Sequence, residues 1–116
     1  MADYFFTRYK DYLREDFQTT LKENVHKYSD YTFVFTGHSL GGAMTTHAAL
    51  DSVLSEIVPK SKVVLYNYGS PRVGNYAYVE AVEQVVPVRN RVVHWADAVP
   101  HLPFCRQNSK GDCTED

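Results

Sequence analysis

Residues 31–43 read Y-T-F-V-F-T-G-H-S-L-G-G-A, and the fold turns on how this stretch is read. Tyr31 to Thr36 is a short run of aromatic and β-branched residues, the composition of a buried strand. Gly37, Gly41 and Gly42 then bracket Ser39. Beyond them Ala43, Met44, Ala48, Ala49, Val53, Leu54 and Ile57 recur at helical spacing until Pro59 stops the pattern. A strand thus meets a helix through one serine with small residues on either side. So sharp a turn brings neighbouring side chains into collision unless they are absent. Gly37 and Gly41 supply that absence, and Gly42 lets the helix approach the strand closely.

Upstream, Phe5, Tyr9, Tyr12, Leu13, Phe17, Leu21, Val25 and Tyr28 fall three and four apart. This predicts one helix from Tyr4 to Tyr28, with Lys10, Arg14, Glu15, Lys22 and Glu23 left for solvent. Its tyrosines read better as packing against a sheet than as a binding surface. Ser29-Asp30 breaks the helix. Downstream, K-V-V-L-Y-N-Y from Lys62 to Tyr68 predicts a second strand, closed by Gly69-Ser70-Pro71. A third helix fits Tyr76 to Val86, ended by Pro87, and R-V-V-H-W from Arg91 to Trp95 predicts a third strand. Alternating helices and strands argue for an α/β fold, a mainly parallel sheet joined by right-handed crossover helices. The 116 residues suit one domain, 1–116, with one modest core.

Composition narrows the partners. With 44% hydrophobic and 22% charged residues the chain reads as an ordinary globular protein. A net charge of -2 with the signs mixed offers no basic stripe for nucleic acid. No window approaches the roughly 20 apolar residues of a transmembrane segment, and the Met-Ala-Asp start lacks the basic and apolar regions of a signal peptide. Cys105 and Cys113 either staple a short loop, which favours an oxidising compartment, or remain thiols. A zinc site on His101, Cys105, Cys113 and a fourth ligand is the outside reading; no metal and no cofactor are expected.

At the carboxyl edge of a parallel sheet, a strand–serine–helix turn presents the hydroxyl to a helix N-terminus, where Leu40 N–H can hold an oxyanion. Ser39 is therefore a candidate nucleophile for acyl transfer, and it requires a histidine base and a carboxylate to orient that base. In such folds the chain order is serine, acid, histidine. Asp97 follows the third predicted strand and is the candidate acid, against the plainer reading of a loop-capping aspartate in D-A-V-P. Asp51 sits within the outgoing helix, and Glu80 and Glu83 lie on the exposed side of the third helix. Among the histidines, His26 and His38 precede the serine, and His94 belongs to the third predicted strand. His47 is eight residues along the helix, about 12 Å away at 1.5 Å per residue. His101 alone follows Asp97, only four positions later in V-P-H-L-P, and is a poor but sole candidate base. Arg72 reads as one half of a structural ion pair rather than as a residue orienting loops around the site.

Taken together, T-G-H-S-L-G-G-A, Y-N-Y-G-S-P-R-V-G-N and R-V-V-H-W-A-D-A-V-P-H-L-P resemble the class 3 (fungal-type) lipase family of α/β hydrolases. The resemblance runs from the helix before Ser39 to about Pro103 and corresponds to the central part of that fold. It implies a triacylglycerol lipase or related carboxylic-ester hydrolase acting on lipid or small esters through an acyl-enzyme. Ser39 then matches the nucleophile and Asp97 the acid, whereas His101 matches a position that the family does not use as the base. The family's histidine lies further along the chain than D-x-V-P-H-L-P, and a second oxyanion donor and a lid helix lie upstream of the first helix here. Cys105 and Cys113 fall where such lipases often carry a disulfide, and secretion is expected from the family. The alternative is a catalytically incomplete fragment or pseudoenzyme serving as an interaction module. Oligomeric state is not legible.

Overall fold

The computed structural model describes residues 2–105 and Ser109. Helices α1 (Ala2–Tyr12) and α2 (Arg14–Lys27) lead into β1 (Phe33–His38), α3 (Leu40–Leu54), β2 (Val63–Tyr68), α4 (Tyr76–Val85) and β3 (Val88–Val92). Short 3-10 turns lie at Lys60–Lys62 and Val99–His101. The strands form one parallel sheet in the order β1-β2-β3, with Phe33 opposite Val63 and Val64 opposite Val88. This is the α/β arrangement the sequence predicts.

Alternation along the strands decides which face is covered. Phe35 on β1 and Val63, Leu65 and Asn67 on β2 are buried, while Val34, Tyr66 and Tyr68 on the other face stay exposed. Helix α3 rests on β1 and β2, and α1 and α4 flank it. Its contact face is built from small residues, with Ala43 and Ala49 fully buried, so its backbone lies close to the strands. Tyr9, Leu21, Val58, Val82 and Val86 close the same core, and Phe17 of α2 packs edge-on against Phe35.

Three departures from the sequence reading have physical causes. The predicted helix over Tyr4 to Tyr28 is two helices meeting at Leu13. Asp51 of α3 accepts hydrogen bonds from Tyr9 Oη (2.8 Å), Arg14 Nε (2.9 Å) and Gln18 Nε2 (2.7 Å). Tyr9 and Arg14, five residues apart, point about 140° away from each other on a straight helix, and a break between them lets both reach one carboxylate. Arg14 is thus engaged in an ion pair rather than left to solvent. The helical face also covers less than expected: Phe5 and Tyr9 are buried, but Tyr12 is exposed.

β1 runs two residues later than predicted, through Gly37 and His38, because these pair with Asn67 and Tyr68 of β2. β3 begins three residues early, at Val88. Pro87 ends the helical pattern, and β2 offers partners only as far as Tyr68, which lies opposite Val92. His94 and Trp95 consequently fall in the loop after β3 rather than in the strand.

Candidate active site

Ser39 occupies the junction between β1 and α3 with φ 54° and ψ -125°. A non-glycine residue at positive φ outside the left-handed helical well costs on the order of 1–3 kcal/mol, so its surroundings must impose the conformation. Here Ser39 N–H donates to Tyr68 O (3.0 Å), and Ser39 O accepts from Gly42 N (2.9 Å) and Ala43 N (3.4 Å). Two glycines make the turn feasible. A Cβ on Gly37 would run into the carbonyl of Gly41 and the hydroxyl of Thr45, and one on Gly42 would come within 2.7 Å of Ser70 Cβ. Gly41 contributes otherwise than the sequence suggests: a Cβ there meets nothing within 4 Å among the described residues. The close approach therefore depends on Gly37 and Gly42. Leu40 is the first residue of α3, so its amide has no partner within the helix, and none appears among the described residues. A helix N-terminus with an uncommitted amide beside a half-buried hydroxyl can hold developing negative charge.

Asp97 lies at the same edge of the sheet. Gly69, directly after β2, has φ 56°, and a Cβ on it would sit 3.1 Å from Asp97 Oδ2 and 3.6 Å from His38 Nε2. Gly69 thus lets the carboxylate come up to the end of β1, next to the residue preceding Ser39. The other carboxylate oxygen, Oδ1, accepts from Val99 N at 3.0 Å, so the loop-capping role exists and occupies one oxygen of the two. His101 is exposed on the Val99–His101 turn, and its Nδ1 lies 2.9 Å from the backbone oxygen of Asp97, not from its carboxylate. In a triad the carboxylate itself orients the imidazole, and His101 is not held that way.

Arg72 departs from its predicted role. It makes no ion pair among the described residues; instead its amide donates to Leu102 O (2.7 Å) and its Nη1 to Pro103 O (3.3 Å). Two residues that sequence reasoning passed over also belong to this edge: Gly69, signalled only by its place after the second strand, and Arg91, which bridges two loops. Cys105 is not a free thiol, and Cys113 lies outside the described residues, as does that part of the zinc reading. Among the described residues no three His, Cys, Asp or Glu side chains gather as a metal site, and no helix is long and apolar enough to cross a membrane.

The remaining charged groups on α3 serve packing. Asp51 is pushed up by burial, but hydrogen bonds from Arg14 and Tyr9 outweigh this and hold its carboxyl below the usual range. Tyr9 is pushed the other way, first by burial and then by its bond to Asp51. His47 is buried among the rings of Phe6, Tyr9 and Tyr78, and burial lowers its pKa to about 4. None of these groups reaches the Ser39 turn.

The sequence profile of the family described as "Lipase (class 3)" matches residues 1–107. The lipase ZK262.3 of Caenorhabditis elegans is 42% identical over 82 residues, which is 71% of this chain and 23% of that protein. A secreted mono- and diacylglycerol lipase of Fusarium solani is 47% identical over 73 residues, 63% of this chain and 21% of that one. A triacylglycerol lipase structure whose catalytic centre is formed by a serine protease triad superposes with a TM-score of 0.81 at 36% identity, covering 86% of this chain and 38% of the other. The chain spans roughly a quarter of the length of the relatives it matches.

Proposed function

Because the chain belongs to the class 3 lipase family, we propose that it carries the nucleophile and the acid of a serine carboxylic-ester hydrolase acting on lipid esters, as part of one α/β-hydrolase domain. The observation that carries this reading is the conformation of Ser39, a backbone outlier held between a strand and a helix N-terminus. An inert packing serine gains nothing from such strain, whereas a nucleophile gains an exposed approach and an adjacent oxyanion donor.

In this reading Ser39 Oγ attacks the ester carbonyl while a histidine takes its proton. Leu40 N–H steadies the oxyanion, and the imidazolium returns the proton to the departing alkoxide. Water then attacks the acyl-enzyme by the same route and releases the fatty acid. Asp97 Oδ2, which makes no hydrogen bond among the described residues, is the oxygen that would receive the histidine N–H. By resemblance to the family, that histidine comes from further along the chain than His101. Relatives described as secreted motivate secretion, and the family resemblance motivates a Cys105–Cys113 disulfide, which peptide mapping of non-reduced protein would detect. The role of Ser39 is tested in the full-length protein by hydrolysis of a short p-nitrophenyl ester: Ser39→Ala should abolish turnover with the fold intact. Unchanged turnover would reject the assignment.

A further inference from the structure

We propose that Arg91 is a positioning residue for Asp97, acting by tying the Val99–His101 turn to the loop that follows β2. The proposal rests on the reading of Ser39 and Asp97 given above. Arg91 leaves the exposed edge strand β3, yet its Nη2 donates both to Ser70 O at 2.9 Å and to Pro100 O at 2.6 Å. Each acceptor leads to the site. Ser70 packs against Gly42 at the start of α3, so it moves with the Ser39 turn. Pro100 is buried in the 3-10 turn whose first amide, Val99 N–H, holds Asp97 Oδ1. A continuous path therefore runs from the serine turn through Ser70, the guanidinium, Pro100 and Val99 to the carboxylate.

The electrostatics argue that this clamp is not a by-product of charge pairing. Arg91 is partly desolvated and lies near enough to Arg72 that burial, and then the Arg72 charge, lower its pKa. Neither arginine meets a carboxylate among the described residues. Their hydrogen bonds go to four backbone carbonyls, those of Ser70 and Pro100 from Arg91 and, counting the Arg72 amide, those of Leu102 and Pro103. Placing two guanidinium groups near enough to repel opposes folding, and charge-assisted bonds to carbonyls offset it. What the arrangement yields is a fixed distance between two loops, one beside the serine and one bearing the acid. Misplacing a catalytic group by about 1 Å can cost as much as a hundredfold in rate.

The test uses the full-length protein with Arg91→Met, Arg91→Lys, Asp97→Asn and the double variant Arg91→Met/Asp97→Asn. Arg89→Met serves as the control, because Arg89 lies on the same strand and among the described residues pairs only with Glu83 and Val86 O. We expect Arg91→Met to lower kcat by about tenfold to a hundredfold with KM nearly unchanged, and Arg91→Lys to recover most of it. Hydrogen exchange at the amides of Val99, His101 and Leu102 should accelerate at least about tenfold in Arg91→Met and not in Arg89→Met. In the Asp97→Asn background Arg91→Met should cost little further. Unchanged exchange, or faster exchange with kcat preserved, overturns the proposal, as does a full additional loss in the double variant. Should Arg91→Met fail to fold, the same readouts on Arg91→Gln, which also lacks the guanidinium, decide. A parent protein that hydrolyses no ester sinks the esterase reading separately, and exchange at the turn then decides alone whether Arg91 holds it.

Discussion

Acid should weaken the packing of α1 against α3 through one side chain, His47. It is 5% exposed and is enclosed by Phe6 and Tyr9 of α1 and Tyr78 of α4. Its Nδ1 lies 2.9 Å from Tyr78 Oη, and its Nε2 is buried without a partner among the described residues. Among the described residues no carboxylate hydrogen-bonds to the ring; Asp51, four positions on along α3, is committed to Tyr9, Arg14, Gln18 and Ser55. A proton on His47 would therefore place a charge among aromatic rings, and burial lowers its pKa from 6.5 to about 4. Between those values the unfolded chain binds a proton that the folded chain refuses, so stability rises with pH across that window. The contribution is complete above pH 6.5, falls as the pH drops toward 4, and is flat below that. At about 1.4 kcal/mol per pKa unit the full effect is roughly 3 kcal/mol. Urea unfolding followed by circular dichroism from pH 7.5 to 4 measures it. His47→Gln retains a partner for Tyr78 and cannot titrate, so it should lose about 3 kcal/mol less than the parent over this range. Parallel pH profiles for parent and His47→Gln would refute the argument. Asp51, held below the usual carboxylate range, acts in the same direction at lower pH, where its protonation favours the unfolded chain.

Three further outcomes follow from the site. Gly37→Ala should destabilise the fold by about 2 kcal/mol or more and abolish reaction at Ser39, because its Cβ meets backbone that cannot move aside. Gly41→Ala has open space and should remain within about 1 kcal/mol of the parent by thermal unfolding. Asp97→Asn in the full-length protein should preserve the thermal midpoint within a few degrees and reduce ester turnover by about a thousandfold or more, through loss of the imidazole's orientation. Turnover within a factor of about two of the parent would leave Asp97 as a loop cap only.

The Ser39 turn was legible in sequence because everything that shapes it is local: the glycines, the preceding β-branched run and the helical pattern lie within about twenty residues. The order of strands and helices followed for the same reason. What escaped depends on distant partners. The break at Leu13 comes from Asp51, 37 positions beyond Arg14, and no proline or glycine marks it. β3 is placed by pairing with β2, so V-V-H-W, which has strand composition, runs off the end of its partner after Val92, and Val93, His94 and Trp95 become loop. Arg72 and Arg91 carry no local sign that their acceptors are carbonyls rather than carboxylates. Glycine composition alone also could not separate Gly37 and Gly42, which fill crowded positions, from Gly41, which does not.

The central claim is that Ser39 is a nucleophile and not a packing residue. Its most direct test is reaction of the folded, full-length protein with a fluorophosphonate probe, followed by peptide mass spectrometry to locate the adduct. The account predicts a single adduct on Ser39, lost in Ser39→Ala and lost again on unfolding the parent. An adduct on a different serine, or a folded parent in which Ser39 stays unmodified, would contradict it.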